Sequence, residues 1–147
     1  MLKLSTKSRY GVRLMLDLAL NYDKAPVALS VVAKRQEISE KYLEHLTTPL
    51  KKAGLIRSTR GAHGGYVLLK QPSQITLKDI ILALEGSLYL VECTKNPAIC
   101  KRSPTCVSRD IWKDVADKIL ETLSILTIEK MIRKQKSKGK DTREVRK

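Results

Sequence analysis

Three glycines in five residues, Gly61, Gly64 and Gly65, stand between two apolar runs and demand a tight reversal of the chain. Leu55 to Ser58 precedes them and Tyr66 to Leu69 follows. The segment therefore reads as a β-hairpin with Arg60-Gly61-Ala62-His63-Gly64-Gly65 at its tip. A lone hairpin is marginal in water and must lie against something else.

What precedes it is helical. Tyr10, Leu14 and Leu18 recur at four-residue steps with Met15 and Ala19 beside them, predicting a helix from about Thr6 to Asn21. Val31, Val32 and Lys34 belong to a short second helix with Ser30 near its start. Ser39 suits the N-cap of a third, because its hydroxyl can accept from a free backbone donor. That helix turns Tyr42, Leu43 and Leu46 inward, and ends or kinks at Pro49, which opens a last turn to Ala53 before Gly54. Three short helices and a basic hairpin make a winged helix-turn-helix, in which the second of the paired helices enters the major groove.

Charge supports that reading. The 147 residues carry 29 lysines and arginines against 15 acids, for a formal net charge of +14. Residues 1–71 hold 13 basic and 5 acidic groups, residues 72–132 hold 8 of each, and residues 133–147 hold 8 and 2. A basic half joined to a neutral middle suggests separate tasks, with nucleic acid as the partner of the first. One tryptophan, five tyrosines and no phenylalanine offer little surface for stacking single strands, which favours a duplex.

The neutral middle opens with Thr76-Leu77-Lys78-Asp79, a capping box before a short amphipathic helix stopped by Gly86. Residues 93–106 read as an irregular loop. A longer helix from Val107 to about Ser124 is expected to bury Ile111, Trp112, Val115, Ile119 and Leu123. It carries more apolar surface than a small winged domain needs, which points to a homodimer matched to two-fold DNA sites. Thr127 caps a final short helix, and beyond Arg133 the apolar pattern stops. The expected division is 1–71 for DNA binding, 72–134 for the cysteine loop and dimerisation, and 135–147 for a disordered basic tail adding non-specific attraction. The expected class is mainly α with a small β-hairpin.

Cys93, Cys100 and Cys106 are the only cysteines and fall within 14 residues. An odd number without a secretory signal argues against a disulfide framework. Thiolates suit zinc or iron–sulfur clusters, but zinc sites usually bring four ligands in pairs such as CxxC, and none occurs here. Lys95, Lys101, Arg102 and Arg109 would offset the charge of a cluster, and would equally favour reactive thiolates without any metal. No signal peptide or membrane span is evident, so a soluble, cytoplasmic protein is expected. No serine–histidine–acid set, P-loop or paired carboxylates suggest an enzyme, and the alternatives are a cluster-free winged-helix regulator controlled by thiol chemistry or a partner protein, and a non-specific nucleic-acid-binding structural protein.

In order, Arg9-Tyr10-Gly11, Leu16-Asp17-Leu18-Ala19, Ile38-Ser39, Tyr42-Leu43-Glu44 and Leu50-Lys51-Lys52-Ala53-Gly54-Leu55 precede Arg60-Gly61 and Gly64-Gly65-Tyr66. The cysteine loop and Asp110-Ile111-Trp112 follow. Taken together, these motifs resemble the IscR-type iron–sulfur regulators, bacterial winged-helix transcription factors, over nearly all of residues 1–134. The resemblance implies a homodimer on double-stranded promoter DNA. It implies a 2Fe–2S or 4Fe–4S cluster on Cys93, Cys100 and Cys106, whose loss, oxidation or nitrosylation changes DNA binding. It places Lys41, Tyr42, Glu44 and His45 on the groove-facing helix, and Arg60 and His63 on the wing. Two departures stand out. The namesake regulators have a histidine three residues after the last cysteine, where this chain has Arg109, which lacks a lone pair to give. Nitric-oxide-sensing relatives have an aspartate before Tyr-Gly, where this chain has Arg9. Glu92, Asp110, His63 or an exogenous thiol or water are the candidates for the fourth ligand.

Overall fold

A computed structural model describes residues 3–144, with side chains as far as Gly139. The first helix, α1 (Thr6–Leu20), is the hub. Ser5 caps it, accepting from the Ser8 amide at 3.4 Å. Gly11, Leu14, Met15, Leu18 and Ala19 make its buried stripe at helical spacing. The fourth helix, α4 (Leu77–Glu85), crosses so closely that a Cβ on Gly11 would sit 2.1 Å from Leu84 Cδ1.

Two helices follow α1: α2 (Leu29–Gln36) and α3 (Glu40–Lys52). The expected interruption at Pro49 is absent, and α3 runs unbroken to Lys52. Pro49 lies one turn from the helix end, so the only amide bond forgone is the one to the His45 carbonyl. The hairpin is antiparallel, β1 (Ile56–Thr59) against β2 (Gly65–Leu68), with Ile56 opposite Leu68 and Thr59 opposite Gly65. Both strands are shifted about one residue from the sequence-based limits. Val27 adds a third rung, donating to the Tyr66 carbonyl at 3.0 Å and accepting from its amide at 2.8 Å.

The capping box at α4 is present: Thr76 Oγ1 accepts from the Asp79 amide at 3.1 Å, and Asp79 accepts from the Thr76 amide at 2.9 Å. A short helix, α5 (Glu92–Lys95), and two 3-10 turns (Pro97–Ile99 and Ser103–Thr105) give order to the segment expected to be irregular. The long helix, α6 (Val107–Ile125), packs on α4 and α5.

The final helix, α7 (Ile128–Glu144), departs most from expectation. It is not short, and residues 135–144 are helical where a disordered tail was expected; residues 145–147 lie outside the described residues. Its first turn is fixed by burial: Ile128 is fully buried and its amide donates to the Ile75 carbonyl at 2.9 Å. Once nucleated, the good helix formers from Arg133 to Lys136 continue the helix without an apolar pattern, and it runs on through the weaker formers Ser137, Gly139, Asp141 and Thr142. One core joins Leu14, Leu18, Val32, Leu43, Leu50 and Ile56 with Ile75, Ile80, Leu84 and Ile128, so α4 and α7 complete the packing of the first three helices. No helix among the described residues is long and apolar enough to cross a membrane.

Candidate nucleic-acid interface and cysteine loop

Between α2 and α3 the chain turns in three residues, Glu37 to Ser39. Glu37 takes the left-handed conformation (φ 53°), Ile38 is buried, and Ser39 Oγ accepts from the Tyr42 amide at 3.2 Å. Such a short link fixes one helix across the other. A buried charge reinforces it. Asp17, inside the apolar stripe of α1 and 3% exposed, accepts from Arg35 at 2.7 Å and from Gln36 at 2.9 Å. From the same helix, Arg13 donates to the Gln36 side-chain oxygen at 3.2 Å and also to its backbone carbonyl. Sequence reasoning names Asp17 only within a motif; a carboxylate flanked by Met15, Leu18 and Ala19 is the signal that it holds something.

On α3, Leu43, Leu46, Thr47 and Leu50 are buried while Lys41, Glu44, His45 and Thr48 are exposed. Their spacing of three, one and three residues puts the four on one open face. Lys41, Glu44 and His45 were expected there; Thr48 was missed. Tyr42 is displaced from that set. It is half-buried and meets Tyr10 edge to face, with ring centroids 5.6 Å apart. The guanidinium groups of Arg9 and Arg13 lie 5.8 and 5.4 Å from the Tyr10 ring centre. Tyr42 thus braces α3 on α1, with its flank toward the basic surface around α1.

Arg60 and His63 are exposed at the hairpin tip. Gly65 is dictated by contact: a Cβ there would lie 2.4 Å from the Val27 carbonyl carbon and oxygen. Any side chain would separate the wing from the Val27 rung. Lys51 of α3 lies 5.9 Å from the Tyr66 ring centre and spans the gap between α3 and the hairpin.

The cysteine loop lies at the start of α6. Cys93 is in α5, Cys100 follows the first 3-10 turn, and Cys106 is the residue before α6. All three are free thiols, half-buried. Arg109 reaches back across the loop, its Nε donating to the Cys93 carbonyl at 3.0 Å, and its guanidinium also meets Asp110 at 3.4 Å. Ser103, between Cys100 and Cys106, is buried with an Oγ that has no partner. By type the donor set fits an iron–sulfur cluster: three unpaired thiols on one loop, with cations close by and a buried hydroxyl left unsatisfied. By placement it is incomplete, since no three His, Cys, Asp or Glu among the described residues converge closely enough to hold a metal ion. Of the candidate fourth ligands, Glu92 and Asp110 are exposed beside the loop and His63 stands at the wing tip.

The expected burial of α6 fails within one chain. Only Ala116 is buried, while Val107, Ile111 and Trp112 are 72, 54 and 42% exposed. Ile119 and Leu123 are half-buried, lining a cleft of about 530 Å³ against Leu4 and Val12 of the N-terminal segment and Leu77 and Ile81 of α4. The apolar stripe is real, but a single chain lacks the surface to cover it. Near the cleft, Glu85 at the end of α4 accepts from Ser8 Oγ at 2.5 Å and from Ser5 Oγ. Desolvation alone would raise its pKa; the two serine hydroxyls and the charge of Lys7 outweigh that and hold it below the ordinary carboxylate value.

Residues 4–134 match the family model Rrf2, described as iron-dependent transcriptional regulator. The chain is 42% identical over 132 residues to Protein rrf2 of Nitratidesulfovibrio vulgaris, covering 90% of this chain and 88% of that one. Among solved structures it is similar to CymR (YrzC), the global cysteine regulator of B. subtilis, with a TM-score of 0.75 and 40% identity over 90% of this chain and 98% of that one. It is equally similar to T. potens IscR, with a TM-score of 0.75 and 41% identity over 91% and 88%.

Proposed function

This chain belongs to the Rrf2 family of transcriptional regulators, and from that premise we propose that it is a homodimeric, sequence-specific DNA-binding regulator whose grip on promoter DNA is set by its cysteine loop. The observation that carries the reading is the position of that loop. It joins the core-packed α4 to the uncovered apolar helix α6, so a change in the loop bears on the pairing of two readers. Lys41, Glu44, His45 and Thr48 face the major groove, where Glu44 can accept from a cytosine amine. Arg60 enters the neighbouring minor groove or its edge, where narrow A·T tracts attract arginine. Tyr42 supports this face from its rim.

Cys93, Cys100 and Cys106 are the residues that would hold an iron–sulfur cluster. Such a group supplies one-electron redox chemistry and reactivity toward oxidants or nitric oxide. Arg109 ties the loop to α6 through the Cys93 carbonyl and keeps a positive charge beside the thiols. The similarity to T. potens IscR supports this reading.

The unassembled donors and the arginine in place of histidine favour a second reading, in which the free thiols themselves are modified. Similarity to the global cysteine regulator CymR is compatible with it. One experiment separates the two. The protein is purified anaerobically, assayed for iron and acid-labile sulfide, and used to select duplexes from a random library. Iron and sulfide in the wild type, lost in Cys93→Ala, support the cluster. Iron-free protein whose duplex affinity changes on alkylation with iodoacetamide supports the thiol reading. Failure to enrich any duplex rejects both.

A further inference from the structure

Through Glu144 the basic C-terminal segment is a helix, α7, with two unlike faces. Ile128 is buried and Met131 and Ile132 are half-buried on the side of α7 that meets α1. Lys130, Arg133, Lys134, Lys136 and Lys138 are all exposed. At about 100° per residue, Lys130, Arg133 and Lys134 fall opposite Ile128 and Ile132, with Lys136 and Lys138 flanking them. Glu129 is the only acid from 128 to 140, and it is paired with Arg133 at 3.4 Å.

Location gives this charge a direction. Tyr22 and Asp23, in the turn that ends α1, line two clefts. One is completed by Pro72 and by Ile132, Arg133 and Lys136 of α7. The other is completed by Arg57, Tyr66 and Val67 of the hairpin. The wing and α7 therefore pack against the same corner of the molecule, where Lys24 and Arg57 are also exposed.

We propose that α7 is a second phosphate-binding element, a basic helix set beside the wing that grips duplex backbone flanking the sequence read by α3 and Arg60. This rests on the DNA-binding reading above and adds to it a contact that carries no base information. The outer face has no apolar residue to enter a bilayer, and α7 has no aromatic residue on which a single strand could stack. From Lys130 to Lys140 the helix spans about 15 Å, facing a polyanion with one charge per about 1.7 Å of axis. Charge complementarity thus selects duplex phosphate.

The test uses the full chain and a duplex enriched from a random library. Each duplex is prepared with about ten base pairs of flank on either side, one helical turn, and again trimmed to the enriched core. Wild type is compared with a Lys134→Gln, Lys136→Gln, Lys138→Gln triple variant, which keeps good helix formers. On the long duplex the variant is expected to bind about tenfold more weakly near physiological salt, and the slope of log affinity against log salt to fall by about two. On the trimmed duplex the two proteins bind alike. Unchanged affinity and slope on the long duplex overturn the proposal, as does an equal loss on the trimmed duplex or on single-stranded RNA of the same length. An Arg60→Ala control that still weakens binding leaves the DNA-binding reading standing in those cases. If wild type enriches no duplex, that reading falls and this one with it.

Discussion

Asp17 is the one buried carboxylate among the described residues. It holds Arg35 and Gln36 from inside the stripe that α1 buries, and so sets where α2 lies relative to α3. Asp17→Ala should cost about 1–3 kcal/mol, because Arg35 is partly exposed and can recover water. A urea titration would show the lower midpoint; an unchanged midpoint would mean the clamp is idle. Glu37 offers the opposite sign. A non-glycine residue at φ 53° is strained, so Glu37→Gly should be neutral or stabilise by up to about 1 kcal/mol. Glu85 predicts a pH dependence. Its pKa is lower in the folded chain than unfolded, so its contribution is present above the ordinary carboxylate range and is lost as pH falls through the folded value. Acid-induced loss of stability should therefore shrink in Glu85→Gln, measured as urea midpoint against pH. None of these three roles could be read from the chain alone. Asp17 and Glu85 depend on partners between 18 and 80 residues away, a separation that periodicity does not see, and the left-handed Glu37 belongs to the three-residue turn between α2 and α3.

Elements were more legible than their contacts. Caps at Ser39, Thr76 and Thr127, the stop before Gly54 and the glycine-rich reversal lie where local chemistry places them. Two readings failed for one physical reason: local signals were weighed without the surface that would meet them. Pro49 looks like an end, yet a proline within a turn of the terminus forfeits only one bond. The lysine-rich tail looks unstructured, yet residues 135–144 continue a helix already nucleated by buried Ile128. On α6 the apolar stripe was recognised, and most of the residues expected to be buried stand open within one chain. Val107, Ile111 and Val115 repeat at four-residue steps on an open face, as a helix seam between two chains would. Ile111→Glu combined with Val115→Glu should convert a dimer to a monomer in sedimentation velocity at micromolar concentration, with the helical circular dichroism retained. A wild-type chain that is already monomeric there would contradict the assignment of this face.

At the scale of the whole molecule, the proposed function assigns reading to the basic half and control to the neutral middle. Lys41, Lys51 and Lys52 of α3 and Arg57 and Arg60 of the hairpin are exposed basic groups of the first half, α7 adds its own, and the cysteine loop stands at the start of α6, in the segment with no net charge. The sequence motifs anticipated the winged helix and the loop, and the family match supports regulation of transcription. The loop's chemistry was legible only as far as three thiols, because convergence of donors is a property of folded geometry and the fourth position is filled by an arginine anchored to backbone. The central claim is that the state of this loop sets DNA affinity. It is tested most directly by measuring, without oxygen, the affinity of reconstituted wild type and of Cys93→Ala for the same enriched duplex, alongside iron and sulfide content. The account predicts bound iron and sulfide in wild type only, and affinities differing by about 5–150-fold, the usual range of coupling between two sites. Equal affinities for a loaded wild type and an iron-free variant would contradict it.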